Sequence, residues 1–199
     1  MIYLIRHGQT EFNAARRFQG GLDSPLTELG AAQARAMGMR LRDLIDPEDV
    51  ALFCSPRGRA MQTARLIAEE AGIGSDLLID EGLAEVSLGS WDGKTAQEID
   101  GESDGAWSKL TGRNWHFLTP DGERYEPFQA RLAAALGRVA AHPAKVRVVV
   151  SHGIASQVLR GLHIGLPREE SERLTTPQGV IYRLEPGAIA EIDCTAAII

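Results

Sequence analysis

Two histidines stand directly after apolar runs and directly before glycines, His7 in Arg6-His7-Gly8 and His152 in Ser151-His152-Gly153. Two arginines, Arg57 and Arg59, follow a third apolar run in Ser55-Pro56-Arg57-Gly58-Arg59-Ala60. A glycine after each histidine lets backbone amides come close to a ligand. Each His-Gly pair also lies where a loop or helix begins, and free N–H groups there favour an anion. A guanidinium in such a place suits bidentate capture of phosphate oxygens. One such histidine taken alone is more often structural than reactive. Two of them at strand ends, with arginines beside a third strand end, reverse that expectation and point to an oxyanion site containing imidazoles.

These side chains meet only if the runs before them are neighbouring strands. Residues 2–5 (Ile-Tyr-Leu-Ile), 50–54 (Val-Ala-Leu-Phe-Cys) and 146–150 read as short buried strands. Residues 77–80 add a fourth, and 179–184 with 188–193 a pair turned by Pro186-Gly187. Apolar residues at Leu29, Ala32, Ala36, Met39 and Leu41 predict a helix that starts near Ser24 or Thr27. Ser55-Pro56 opens a second helix, which Gly72 stops after Ala71. Further helices are predicted over 128–141 and from Gly153 to about Gly161, and residues 7–25 read as loop. Alternating strands and helices predict a three-layer α/β/α fold with a mostly parallel central sheet, mixed because the last two strands can form a hairpin. In such sheets ligands collect beyond the carboxyl ends of the strands, where both histidines and both arginines stand. From Glu85 to Tyr125 the periodicity is lost, and residues 91–126 are expected to form an inserted lid that sets specificity. Its aromatic residues, Trp91, Trp107, Trp115, Phe117 and Tyr125 with His116, read first as the lid's own small core and second as a surface for substrate. The whole chain, 1–199, is read as a single domain.

Composition removes several classes of function. A net charge of −6 argues against a nucleic-acid partner. It leaves room for a small anionic substrate, because a local arginine cluster overrides a weak global field. No apolar stretch approaches the roughly 20 residues of a membrane span, and the short apolar start lacks the form of a signal peptide, so a cytoplasmic location is expected. Cys54 and Cys194 are too few for a disulfide framework and read as reduced thiols. Three motif matches fail on spacing or charge. Gly93-Lys94-Thr95 resembles the end of a phosphate-binding P-loop, but the glycine needed five residues before Gly93 is Leu88. Cys54 would need an arginine six residues on to resemble a cysteine phosphatase, and Ala60 stands there. His7, His152 and Glu85 could make a zinc set, but arginines beside them oppose a cation, so no metal is expected.

Five ordered blocks carry a family resemblance: Leu4-Ile5-Arg6-His7-Gly8-Gln9-Thr10-Glu11-Phe12-Asn13, Leu26-Thr27-Glu28-Leu29-Gly30, Ser55-Pro56-Arg57-Gly58-Arg59-Ala60-Met61-Gln62-Thr63-Ala64, Leu83-Ala84-Glu85-Val86-Ser87-Leu88-Gly89-Ser90-Trp91-Asp92-Gly93 and Val148-Val149-Val150-Ser151-His152-Gly153. In this order they resemble the histidine phosphatase, or phosphoglycerate mutase-like, superfamily. The resemblance implies that His7 is a nucleophile that becomes phosphohistidine, and that Arg6, Arg59 and His152 line a phosphate pocket with Gly8 and Gly153. It makes Glu85 the proton donor to the leaving oxygen, and Asn13 and Gln19 auxiliary contacts. Arg57 lies off the motif and is expected at the rim. For this chemistry His7 must be neutral, with its other nitrogen donating to a backbone carbonyl. Fixed cations must face the phosphoryl oxygens, and Glu85 must begin protonated through burial or a negative neighbour. No cofactor is implied. The interval 86–151 lacks the longer, Arg- and Pro-rich insertion of the mutases, which favours hydrolysis of a small phosphorylated metabolite over mutase activity or non-catalytic phosphate binding. The natural substrate and the oligomeric state are not readable, though a homodimer is compatible with the family.

Overall fold

In the computed structural model, which describes residues 1–74, 76–110 and 114–198, six strands form one sheet in the order β3-β2-β4-β1-β5-β6. The strands are β1 (Ile2–Arg6), β2 (Val50–Cys54), β3 (Leu77–Ile79), β4 (Val146–Ser151), β5 (Val180–Glu185) and β6 (Ala188–Asp193). The first four are mutually parallel where they pair, whereas β5 runs antiparallel to both β1 and β6. The mixed sheet expected from sequence is therefore present, with the hairpin at one edge.

Alternation along the strands divides the core in two. Tyr3, Ile5, Leu52, Cys54, Val148 and Val150 point to one face, where they meet Met37 and Leu41 of α2 (Glu28–Arg42) and Ala64 and Ile67 of α3 (Gly58–Ala71). Ile2, Leu4, Ala51, Phe53 and Val149 point to the other, against Phe128, Leu132 and Val139 of α5 (Tyr125–Ala141) and Val158 and Leu159 of α6 (Gly153–Ile164). A strand buried on both faces needs apolar residues at every position, which is why 50–54 and 146–150 show no polar alternation. The thiols of Cys54 and Cys194 are buried and unpaired, and burial pushes them up to about 12 and about 11, so neither is poised to react.

Several boundaries differ from the sequence reading. The loop 7–25 contains a one-turn helix, α1 (Glu11–Ala14), closed by a capping box between Thr10 and Asn13. Helix α3 begins at Gly58 rather than at Ser55-Pro56, with Arg57 extended at its cap. Helix α5 begins three residues earlier than expected, at Tyr125. The lid interval is not wholly irregular: Thr95 caps α4 (Ala96–Glu102) through a second capping box with Glu98, and beyond α6 a short α7 (Arg168–Ser171) precedes the hairpin. Two aromatic residues of this interval pack on Phe18 of the 7–25 loop, which lies 4.8 Å from Trp107 and 4.7 Å from Trp115, with Trp107 4.6 Å from Trp115 between ring centroids. Trp91, Phe117 and Tyr125 join the core of the α5–α6 face.

The loop after β1 crosses the first turn of α2 at backbone contact. A Cβ on Gly8 would lie 2.2 Å from the Gly30 carbonyl oxygen, and one on Gly30 would lie 1.9 Å from that of Gln9. Glycine at position 8 thus serves packing of the loop that presents His7 rather than approach of a ligand. Gly8→Ala is expected to cost about 1–3 kcal/mol, the usual range for forced overpacking, read as a lower urea midpoint with an unchanged slope.

Candidate active site

Strand register brings the distant chemistry together. Arg6 pairs with Ser151 and Cys54 with Val150, so β1, β2 and β4 end side by side. Bonds continue one residue beyond, from His7 N–H to the Ser151 carbonyl and from Ser55 N–H to the Val150 carbonyl, both 3.0 Å. The His7 and His152 rings lie 5.2 Å apart. Arg59, 1% exposed on the first turn of α3, reaches down to them, its Nε donating to His7 Nε2 at 3.2 Å.

The tautomer of His7 follows from its partners. His7 Nδ1 lies 2.7 Å from the Gly8 carbonyl, which can only accept, so Nδ1 carries the proton and Nε2 offers its lone pair to Arg59. Ser55 Oγ accepts from Arg57 N–H and lies 2.7 Å from His152 Nε2. His152 Nδ1 is buried without a partner among the described residues. Burial first, then the charges of Arg59 and Arg6, push His7 well below the ordinary imidazole value of 6.5. Burial first, then Arg59, His7, Arg57 and Arg6, do the same to His152. Both rings are neutral at neutral pH.

Unpartnered donors surround this pair. Arg6 gives Nη1–H to the Thr176 carbonyl at 2.5 Å, while its Nε is buried and unpaired. Arg57 likewise has a buried, unpaired Nε, and its charge reaches His152 and Asp92. Buried donors left without partners are rare and mark places where a ligand completes the bonding. Arg59 differs. Its remaining donors go to the carbonyls of Gly20 and Leu22 and to Asp23, at 3.1, 2.6 and 3.1 Å. The guanidinium is held in place by the 20–23 loop and must exchange at least one of these bonds to grip an anion.

Glu85 sits where α6 begins. Its oxygens accept from the N–H groups of Ile154 and Ala155 at 3.0 Å each, and a third bond at 3.0 Å comes from Val86. The anion at this helix N-terminus is thus the Glu85 carboxylate itself. Its charge is felt by Arg6 and Arg59.

The sequence profile of the histidine phosphatase superfamily (branch 1) matches residues 2–189. The chain belongs to this superfamily. A probable phosphoglycerate mutase GpmB of Enterobacter sp. (strain 638) is 36% identical over 185 residues, covering 92% of this chain and 84% of its own length. The mycobacterial glucosyl-3-phosphoglycerate phosphatase aligns with a TM-score of 0.75 and 29% identity over 91% of this chain and 87% of its own. The α-ribazole phosphatase of Shigella flexneri, at 24% identity, shares the fold with a TM-score of 0.81 over 100% of this chain and 97% of its own. Because relatives bearing the mutase name match over most of their length, the length argument against mutase activity does not separate the two groups.

Within this member of the superfamily, His7, Arg6, Arg59, His152, Glu85 and Gly153 converge at the strand ends. Gly8 and Gln19 are engaged elsewhere. Gly8 N–H donates to Thr63 Oγ1 at 3.1 Å, and the Gln19 amide bridges Thr10 and Ser24 inside its own loop. Asn13 closes the α1 cap and accepts from Gln178, whose amide also lies 3.4 Å from the His7 carbonyl. Sequence reading missed Ser55, Thr176 and Gln178. Ser55 lay inside a quoted motif, but Thr176 and Gln178 sit in a loop with no pattern of its own. A cavity of about 160 Å³ opens beside this cluster between Arg6, Glu85, Phe18, Trp115, His116 and Thr176. The larger cavity, about 680 Å³, lies at the opposite end of the sheet around Met1, Leu184 and Pro186, away from every catalytic candidate.

His116 is a third buried imidazole, 2% exposed, and burial and then Arg168 push it down to about 4. In the folded chain His7, His152 and His116 resist protonation, while in the unfolded chain they accept it near 6.5. The unfolded state therefore binds more protons below about 6.5, and stability falls as pH drops from there toward the folded values. At about 1.4 kcal/mol per pH unit per group, urea unfolding at pH 5.5 is expected to give about 2–4 kcal/mol less than at pH 7.5.

Proposed function

We propose that the protein is a metal-independent phosphatase that hydrolyses a small phosphorylated metabolite through a phosphohistidine on His7. The observation that carries this reading is the state of His7: neutral, proton on Nδ1, lone pair on Nε2 turned to a buried guanidinium. Nε2 attacks phosphorus as the bond to the ester oxygen breaks, and the Gly8 carbonyl, accepting from Nδ1–H, stabilises the positive charge the ring acquires. Arg6, Arg59 and His152 face the equatorial oxygens, where charge is greatest. Arg59 exchanges its bond to Nε2 for bonds to the entering phosphoryl group.

The leaving oxygen needs a proton, and Glu85 is the carboxyl group beside it. The arriving phosphoryl group brings the negative charge that favours a proton there and draws the guanidiniums to itself. In the second step Glu85 takes a proton from water as that water attacks the phosphohistidine, restoring His7 and releasing inorganic phosphate. Metal is not required in this scheme because guanidiniums and imidazole N–H groups supply the positive field.

The mutase name of the curated relatives favours one rival reading, in which the phosphohistidine returns its group to a second substrate oxygen. The phosphatase names among the solved relatives support hydrolysis. Incubation with p-nitrophenyl phosphate in EDTA tests the proposal: steady release of phosphate is expected, and His7→Ala should abolish it. Interconversion of 2- and 3-phosphoglycerate outpacing phosphate release would establish the mutase instead. Glu85→Gln should slow alkyl esters at least about a hundredfold, within the range for general acid catalysis, and activated aryl esters much less. Equal losses on both would remove Glu85 from the proton-donor role.

A further inference from the structure

His116 is a polar side chain without a use in the scheme above. Neither ring nitrogen has a hydrogen-bond partner among the described residues, and both are buried. Around it lie apolar rings, Trp115 at 5.5 Å and Phe117 at 4.3 Å between centroids. Burying an imidazole with both nitrogens unpaired costs the bonds it made to water. A phenylalanine would fill this place without that cost. Such unsatisfied groups gather where a ligand completes them, and the space that His116 borders is the cavity shared with Arg6 and Glu85.

We propose that His116 is a specificity residue that hydrogen-bonds hydroxyl groups on the leaving portion of the substrate, which makes the preferred substrate a small sugar or polyol monophosphate. The proposal rests on the phosphatase reading of the site. A neutral imidazole has one donor and one acceptor nitrogen, and neighbouring hydroxyls of a polyol offer the complementary acceptor and donor. A leaving group carrying a second anionic group fits less well. It would lie against the Glu85 carboxylate, and Arg6, the only cation among the described residues of the cavity wall, is committed to the phosphoryl group. The cavity's 160 Å³ is small beside the roughly 300–1,000 Å³ of pockets that enclose drug-sized ligands. Phe18 and Trp115 supply an apolar wall for the C–H face of such a substrate, so the lid's aromatic cluster both packs the lid and borders the site.

The test compares glycerol 3-phosphate with n-propyl phosphate, which has the same carbon skeleton and no free hydroxyl. The wild-type chain is expected to favour the hydroxylated ester in kcat/KM by at least about tenfold. His116→Phe should bring that ratio near one, while His116→Asn, which restores one donor and one acceptor, should recover part of it. A purely structural role for His116 would lower both rates together and leave the ratio intact, and that result would overturn the proposal. A binding measurement stands apart from turnover. In the His7→Ala protein, the ring ¹⁵N resonances of His116 should shift on adding glycerol 3-phosphate and stay unmoved with n-propyl phosphate. Shifts with both esters, or with neither, would overturn the assignment. Loss of turnover on both esters in the wild-type chain, with the selective shift retained, would instead refute hydrolysis and leave the recognition intact.

Discussion

The hydrogen bond from Arg59 Nε to His7 Nε2 is the contact that the rest of the fold serves. It joins a side chain from the loop after β1 to one from the first turn of α3, 52 residues apart in the chain. It exists because β1 and β2 flank β4 and end at the same level. A cation so close to an imidazole would normally be unwelcome. Here burial first, and this cation second, keep the ring neutral, with its Nε2 lone pair held by the guanidinium. The arrangement is held by bonds that have nothing to do with a ligand: the Gly8 carbonyl on Nδ1, and the Gly20 and Leu22 carbonyls and Asp23 on the guanidinium.

The same economy recurs across the site. Ser55 orients His152, Thr63 holds the Gly8 amide, and the α6 amides hold Glu85. What remains unpaired is a short set of nitrogens, Arg6 Nε, Arg57 Nε and His152 Nδ1. A pocket whose walls are satisfied and whose centre is not is preorganised for an oxyanion. The interval 91–126 adds a different element. Its Trp107 and Trp115 pack on Phe18 and against the core of the α5–α6 face, beside the cavity that Trp115 and His116 border.

Much of the fold was legible in the linear pattern, since continuous apolar runs mark strands buried on both faces and the stop at Gly72 coincides with a left-handed C-cap. The misses have local causes. Helix α4 is seven residues long, and its signature is the Thr95–Glu98 capping box rather than an apolar period. Ser55-Pro56 looks like a helix start, but the chain stays extended through Arg57 because Asp23, from another loop, caps the helix two residues later by accepting from Arg59 N–H.

His7, His152, Arg6, Arg59 and Glu85 were visible by type, because each follows a strand or lies in a motif whose order is itself informative. The sequence also put imidazoles and guanidiniums at neighbouring strand ends, where the structure gathers them. Only the tertiary structure decided how they are wired. It showed which nitrogen of His7 bears the proton, and that the amides of Ile154 and Ala155 at the start of α6 bind Glu85. It showed that Gly8 is glycine for the sake of Gly30, and that Gln19 is spent inside its own loop. Hydrogen-bond partnership depends on distances of a few tenths of an ångström between segments dozens of residues apart, and no local pattern encodes those distances.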